Sequence, residues 1–185
     1  MKLMKKNPIT TIVAIGIGAA LFFVLGRFVS IPSPVANTNI STQYGLLAFM
    51  AALYGPLAGF LIAFIGHTLI DLASGWGIWW SWVIASGVAG LIMGLLTTGV
   101  NIEDSFGKKE VITLNVGQVV ANIIAWGVIA PVFDILIYAE PANKVFTQGI
   151  VAGLVNIVTT AVIGTLLSLA YNKAKPKAGS LRKED

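Results

Sequence analysis

Four ionisable side chains interrupt a sequence that otherwise runs through long stretches without charge: Arg27, His67, Asp71 and Asp134. A charge held at membrane depth costs several kcal/mol, so each of the four is a candidate for function by default. His67 and Asp71 are four residues apart and share one face of any helix that carries them. A glycine-containing loop separates Asp71 from four tryptophans, Trp76, Trp79, Trp80 and Trp82. Indoles beside carboxylates suit a flat heteroaromatic ligand with exocyclic donors, held by stacking and hydrogen bonds. Tryptophan also anchors helices at a membrane interface, and one or two of the four rings are expected to meet a ligand. The plainer reading of the carboxylates is interfacial, with His67 or Arg27 satisfying one of them.

Amides form a second group. Asn115, Gln118, Asn122 and Trp126 fall along one helical stripe, and Gln148 and Asn156 follow in the last apolar run. Amides tie helices together in lipid, the expected role of Asn115 and Gln118. Asn122, Trp126 and Gln148 lie nearer the proposed pocket. The polar loop residues Asn37, Asn39 and Gln43 are placed to cover it, as loops over binding sites do.

The elements that must position these groups are apolar. The 185 residues are 56% hydrophobic and 11% charged, with mean hydropathy +0.85. A soluble domain carries roughly a quarter charged residues, so there is too little polar surface for a water-facing body. No Asp, Glu, Lys or Arg occurs in 9–26, 28–70, 72–102 or 145–172. Hydrocarbon about 30 Å thick needs roughly 20 apolar residues per helix. The runs divide into six spans, near 9–29, 44–54, 56–72, 78–96, 112–137 and 145–172, with the second short. Ile31-Pro32-Ser33-Pro34 ends the first, Gly55-Pro56 breaks the second from the third, and Pro131 kinks the fifth.

Basic residues set the orientation. With the N-terminus cytoplasmic, ten Lys and Arg fall on the inner side, and only Arg27 and Lys144 on the other. That bias obeys the positive-inside rule and closes with an even number of spans. The expected fold is therefore all-α, an integral membrane protein with six transmembrane helices and both termini cytoplasmic. Residues 1–172 form a single domain, and 173–185 a basic cytoplasmic tail. The basic start and apolar run resemble a signal peptide but continue too far, and are read as a retained first helix.

Several classes are excluded or disfavoured. The absence of cysteine removes disulfides and thiolate sites, and one histidine does not build a His-rich metal centre. No Gly-x-x-x-x-Gly-Lys-Ser/Thr phosphate loop occurs, so ATP hydrolysis by that route is absent. Ser74 and Ser86 precede glycines but lack the remaining features of an intramembrane protease. In the first span, Ala14 with Gly18, and Gly16 with Ala20, are small pairs four apart that allow close helix approach.

These residues together resemble the substrate-binding S components of energy-coupling factor (ECF) vitamin transporters. The resemblance covers nearly the whole chain. Ile31-Pro32-Ser33-Pro34 with Asn37-Thr38-Asn39, Gly55-Pro56-Leu57-Ala58-Gly59, Gly66-His67-Thr68-Leu69 with Asp71, and Trp79-Trp80-Ser81-Trp82-Val83-Ile84 are similar to the hydroxymethylpyrimidine and thiamine-precursor type. The resemblance implies vitamin binding at the outer side, and docking through span one on a transmembrane T component driven by two cytoplasmic ATPases. Toppling in the membrane then carries the substrate inward. The family's Ala-x-x-x-Ala motif stands here as Ala14-x-x-x-Gly18 and Gly16-x-x-x-Ala20, which leaves the docking register open.

The resulting expectation is an S component in a bacterial plasma membrane, without cofactor or enzymatic activity. Its first-choice substrate is hydroxymethylpyrimidine, with thiamine-related compounds or pyridoxine next. The expected substrate site is Asn39, His67, Asp71, Trp76, Trp79, Trp80, Asn122, Trp126, Asp134 and Gln148; the expected docking face is Ala14, Gly16, Gly18 and Ala20. A stand-alone proton-coupled carrier using Asp71, His67 and Asp134, and a scaffold subunit, are the alternatives.

Overall fold

The computed structural model describes residues 7–35, 38–75 and 77–174. Helix α1 (Pro8–Phe28) starts where Asn7 Oδ1 accepts from the Ile9 amide at 3.0 Å and proline takes the first helical position. A two-residue antiparallel ladder, β1 (Ile31–Pro32) with β2 (Asn39–Ile40), follows within the expected loop. Helices α2 (Gln43–Tyr54) and α3 (Pro56–Ser74) are separated by Gly55 alone. Its φ of 90° is open to glycine, and Pro56 then restarts the helix. Gly75 closes α3 in the left-handed conformation, and α4 (Trp80–Leu96) begins after a short extended stretch.

The fifth apolar run is one continuous rod with a defect. Helix α5 (Lys108–Ile124) passes through a π-helical turn at Ala125–Ile129 into α6 (Ala130–Tyr138). A kink is expected at Pro131, and the structure has a π-turn that ends two residues before it. The wider turn accommodates a ring that would clash in a regular ladder and a residue that lacks the N–H. Helix α7 (Ala142–Ala174) is the longest element, with 33 residues.

Four helical rods are long and apolar enough to cross a membrane: 8–28, 56–74, 108–138 and 142–174. The other two apolar helices, α2 and α4, have 12 and 17 residues. At 1.5 Å per residue, α2 is about 18 Å long, well below the hydrocarbon thickness. Expected span four is also shorter than read, because residues 77–79 are not helical.

The bundle turns polarity inside out. Ile9, Ile12, Ile17, Leu136, Leu154, Val158 and Leu166 stand exposed on its surface, as lipid-facing side chains do. Helix α7 shows the pattern best, since after Val145 its buried face is Gln148, Gly149, Ala152, Gly153, Asn156, Thr160, Gly164 and Ser168. Amides join α5 to α7: Asn115 Nδ2 donates to Thr165 Oγ1 at 3.0 Å, and Gln118 Nε2 to the Ile157 carbonyl at 3.2 Å. These are the tying roles expected of both residues.

Helices α3 and α4 pack through Gly59 and Gly90, where a Cβ on either would run into the other's carbonyl. Ala14 and Gly18 are buried, and a Cβ on Gly18 would meet Ile62 and Met50. Gly16 and Ala20 are exposed, and nothing lies within 4 Å of a Cβ built on Gly16. The four expected docking residues therefore divide: one pair packs inside this chain, and the other faces outward.

Gly90→Ala should destabilise the detergent-solubilised protein by about 2 kcal/mol or more, through forced separation of α3 and α4. Gly16→Ala should leave the thermal midpoint unchanged or slightly raised. Parallel thermal unfolding of the two variants checks both.

Candidate ligand-binding site

The polar groups gather at the end of the bundle that carries the hairpin and the α3–α4 turn. Asp134, on α6, is buried and receives three donors. Trp79 Nε1 donates to Oδ1 at 2.6 Å, Trp82 Nε1 to Oδ2 at 2.8 Å, and Ser81 Oγ also donates to Oδ1. All three come from the start of α4. Asp134 therefore clamps the tryptophan segment in place, and its carboxylate is largely occupied in doing so. Tyr138, one turn along, stacks on Trp79 with centroids 4.2 Å apart, and its hydroxyl accepts from the Trp80 amide at 2.9 Å.

Asp71 secures the same segment from α3. Its Oδ2 accepts from the Trp79 amide at 2.9 Å, and Oδ1 lies 3.6 Å from His67 Nε2. His67 Nδ1 meets Ser86 Oγ, which also shares a 2.8 Å hydrogen bond with the Tyr44 hydroxyl. A chain Asp71–His67–Ser86–Tyr44 thus runs from the α3–α4 turn into the core. Of these, Ser86 enters the sequence reading only as a serine weighed with His67 for a protease dyad and set aside, and Tyr44 does not enter it as a polar partner. Tyr44 sits at the first turn of α2, but only the packing of α2 against α4 brings the pair together.

An aromatic wall continues from Tyr44. Its ring meets Phe22 and Trp126 edge-on at 5.4 and 5.3 Å, and Trp126 lies 5.3 Å from Trp82. Trp126 Nε1 donates to Asn122 Oδ1 at 2.9 Å, and Asn122 Nδ2 donates to Gln118 Oε1 at 3.0 Å. Helix α7 closes this side. Gly149 lies against the Trp126 carbonyl, exposed by the π-turn, and Gly153 lies against the Trp126 side chain. Gln148 is buried beside them on the same face.

The expected site residues thus separate. His67, Asp71, Trp79, Asn122, Trp126, Asp134 and Gln148 converge around this end of the bundle. Trp80 does not: its ring is 42% exposed and stacks with Phe64 on the outer surface of α3. Within α4 residue 80 is rotated about 200° from 82, whereas Trp79 precedes the helix and is held inward by its bonds to Asp71 and Asp134. Asn39 is exposed on the hairpin, with its backbone paired opposite Pro32. The hairpin's end is fixed to α7 where Thr159 Oγ1 donates to the Ser41 carbonyl at 2.8 Å. Trp76 and Asn37 lie outside the described residues. Among the described residues no group of acidic and imidazole side chains has the arrangement of a metal site.

The bundle thus combines an apolar coat with a polar, aromatic cluster at one end. The chain belongs to the family of ECF-type riboflavin transporter S components, which it matches over residues 6–173. It is a multi-pass membrane transport subunit. It is 52% identical to a UPF0397 protein of Lactococcus lactis subsp. cremoris over 187 residues, covering 98% of this chain and all of that one. A UPF0397 protein of Staphylococcus aureus is 50% identical over 184 residues, with 98% and 100% coverage. The fold is similar to that of FolT in its crystal structure with folic acid, with a TM-score of 0.58 and 15% identity. That likeness covers 84% of this chain and 91% of FolT.

Asp134→Ala should cost about 3 kcal/mol or more, because two indole N–H groups and a hydroxyl lose a charged acceptor in a buried setting. Asp134→Asn, which keeps one acceptor, should cost less. Denaturation followed by tryptophan fluorescence reads both, and equal stability of all three proteins would contradict the clamp.

Proposed function

We propose that the chain binds a small, flat, nitrogen-containing vitamin or precursor and delivers it to an ECF importer. The observation that carries this reading is the convergence of Trp79, Trp82 and Trp126 with Asp71 and Asn122 in one chamber. Hydroxymethylpyrimidine is the first choice, with thiamine-related compounds and pyridoxine behind it. Riboflavin is a second reading, favoured by the family description itself. In this proposal Asp71 and His67 face the ligand's donors, and Trp79 is the tryptophan of the 79–80 pair that reaches it. Asp134 acts through the tryptophans it holds, and the hairpin bearing Asn39 closes over the chamber.

The proposed topology has six crossings with both termini cytoplasmic in a bacterial cell membrane. The distribution of basic residues supports it. The short α2 completes its crossing with the hairpin above it, and α4 with the extended residues before it. Docking on a T component, energised by two ATPases, is assigned to the outward small pair Gly16 and Ala20. Gly18→Leu would clash with Ile62 and report on folding instead.

Titration of the detergent-purified protein with hydroxymethylpyrimidine, thiamine, pyridoxine and riboflavin should give one-to-one binding with tryptophan quenching for one of them. Trp79→Ala should weaken that binding about tenfold or more, and Trp80→Ala less than about threefold. No binding across the four would refute the reading. Gly16→Leu should abolish co-purification with a co-expressed T component while leaving ligand affinity intact; an unchanged yield of complex would exclude that face.

A further inference from the structure

Among the described residues four buried side-chain oxygens have no hydrogen-bond partner: Thr42 Oγ1, Gln43 Oε1, Asn156 Oδ1 and Thr160 Oγ1. Gln43, Asn156 and Thr160 are 6%, 2% and 1% exposed. Buried polar atoms are almost always paired, because leaving one unmade in an apolar medium is costly. Four in one bundle are therefore informative. Asn156 and Thr160 share a face of α7 one turn apart. On that same face, Gly153 lies against Trp126 on one side, and Gly164 lies against the Gly45 carbonyl on the other. Asn156 and Thr160 fall between these two contacts, so they project toward the space bounded by Trp126, Tyr44 and the start of α2. Gln43 opens α2, but its amide packs at Gly26 of α1, where an added Cβ would meet Nε2 at 3.1 Å, so it stands apart from this face of α7.

Charge at this end of the bundle is one-sided. The carboxylates Asp71 and Asp134 are buried in it. The segments 28–70, 72–102, 111–141 and 145–172 contain no Lys or Arg. The basic residues that remain nearby are Arg27, exposed and 5.7 Å from the Phe28 ring centroid, and Lys144, exposed and bonded to Glu140 at 2.6 Å. Among the described residues the one basic group inside this end of the bundle is therefore His67, already 3.6 Å from Asp71, and no Lys or Arg is placed there to pair a carboxylate or phosphate. Burying an unpaired anion beside two carboxylates is strongly unfavourable.

We infer that Asn156 and Thr160 form a second polar subsite, and that the ligand is a heterocycle free of anionic groups. One edge of the ligand presents donors toward Asp71. The other carries hydroxyl or amino groups that pair with the Asn156 amide and the Thr160 hydroxyl, each of which both donates and accepts. The aromatic body lies between, against the Trp82–Trp126 wall. This inference rests on the ligand-binding reading of the chamber and narrows it.

The test uses the full chain in detergent, with riboflavin and hydroxymethylpyrimidine as neutral probes and folate and thiamine diphosphate as anionic ones. Asn156→Leu and Thr160→Val are near-isosteric. Each should weaken the neutral probe that binds by about tenfold, while the ligand-free thermal midpoint stays level or rises, since an unpaired polar atom has been removed. The anionic probes should bind at least about a hundredfold more weakly than that neutral one. Unchanged affinity in both variants overturns the subsite while leaving the transport reading intact. A lowered midpoint in the ligand-free variants assigns the two residues to folding and overturns it equally. Tight binding of folate or thiamine diphosphate overturns the charge argument, and failure of every probe to bind overturns the chamber's function and the subsite with it.

Discussion

The carboxylate of Asp134 is the constraint on which the tryptophan end of the bundle depends. It is buried beside apolar rings, where an unpaired charge is not tolerated, and its three donors all belong to Trp79, Ser81 and Trp82. The start of α4 must therefore sit against α6, with two indoles turned inward. The π-turn at Ala125–Ile129 makes this possible. An extra residue in one turn rotates everything after it by about 100°, so the direction of Asp134 depends on that insertion. The same turn frees the Trp126 carbonyl at the place where Gly149 packs.

Polar atoms in this protein are concentrated where helices meet, and the surface is left to aliphatic side chains. In lipid that arrangement is required, because exposed polar groups find no water to satisfy them. The amides of Asn115, Gln118 and Asn122 illustrate the structural use of such groups, since each has partners within the bundle. Asn156 and Thr160 are built on the same kind of helix face, and yet Asn156 Oδ1 and Thr160 Oγ1 have no partner among the described residues. The contrast separates groups that hold the fold from groups held ready by it. The Asp71–His67–Ser86–Tyr44 chain lies between the two, joining the α3–α4 turn to the aromatic core.

Much of the architecture was legible beforehand. Each expected span contains a helix, with ends set by signals such as Pro8, Gly55-Pro56 and Gly75. The lengths of α2 and α4 were less legible, because apolar composition continues through the hairpin and residues 77–79 without specifying helix. The roles of the amides on α5 followed from spacing, as did the sharing of one face by His67 and Asp71. The split between Trp79 and Trp80 did not. Both are tryptophans in the same segment, and only the placement of Phe64 and Tyr138 assigns one ring to the surface and the other to the interior.

By itself the sequence determined the apolar rods, their breaks and the clustering of chemistry toward one end. These follow from local properties: hydrophobic run length, proline and glycine, and the interval between charges. Tertiary structure alone decided that Asp134 is a clamp, that Gly18 packs inward while Gly16 faces out, and that Ser86 bridges His67 and Tyr44. Each of those depends on which helix faces which, and at what rotation. A rotation of one residue, or a single π-turn, exchanges a buried partner for an exposed one without altering any local pattern.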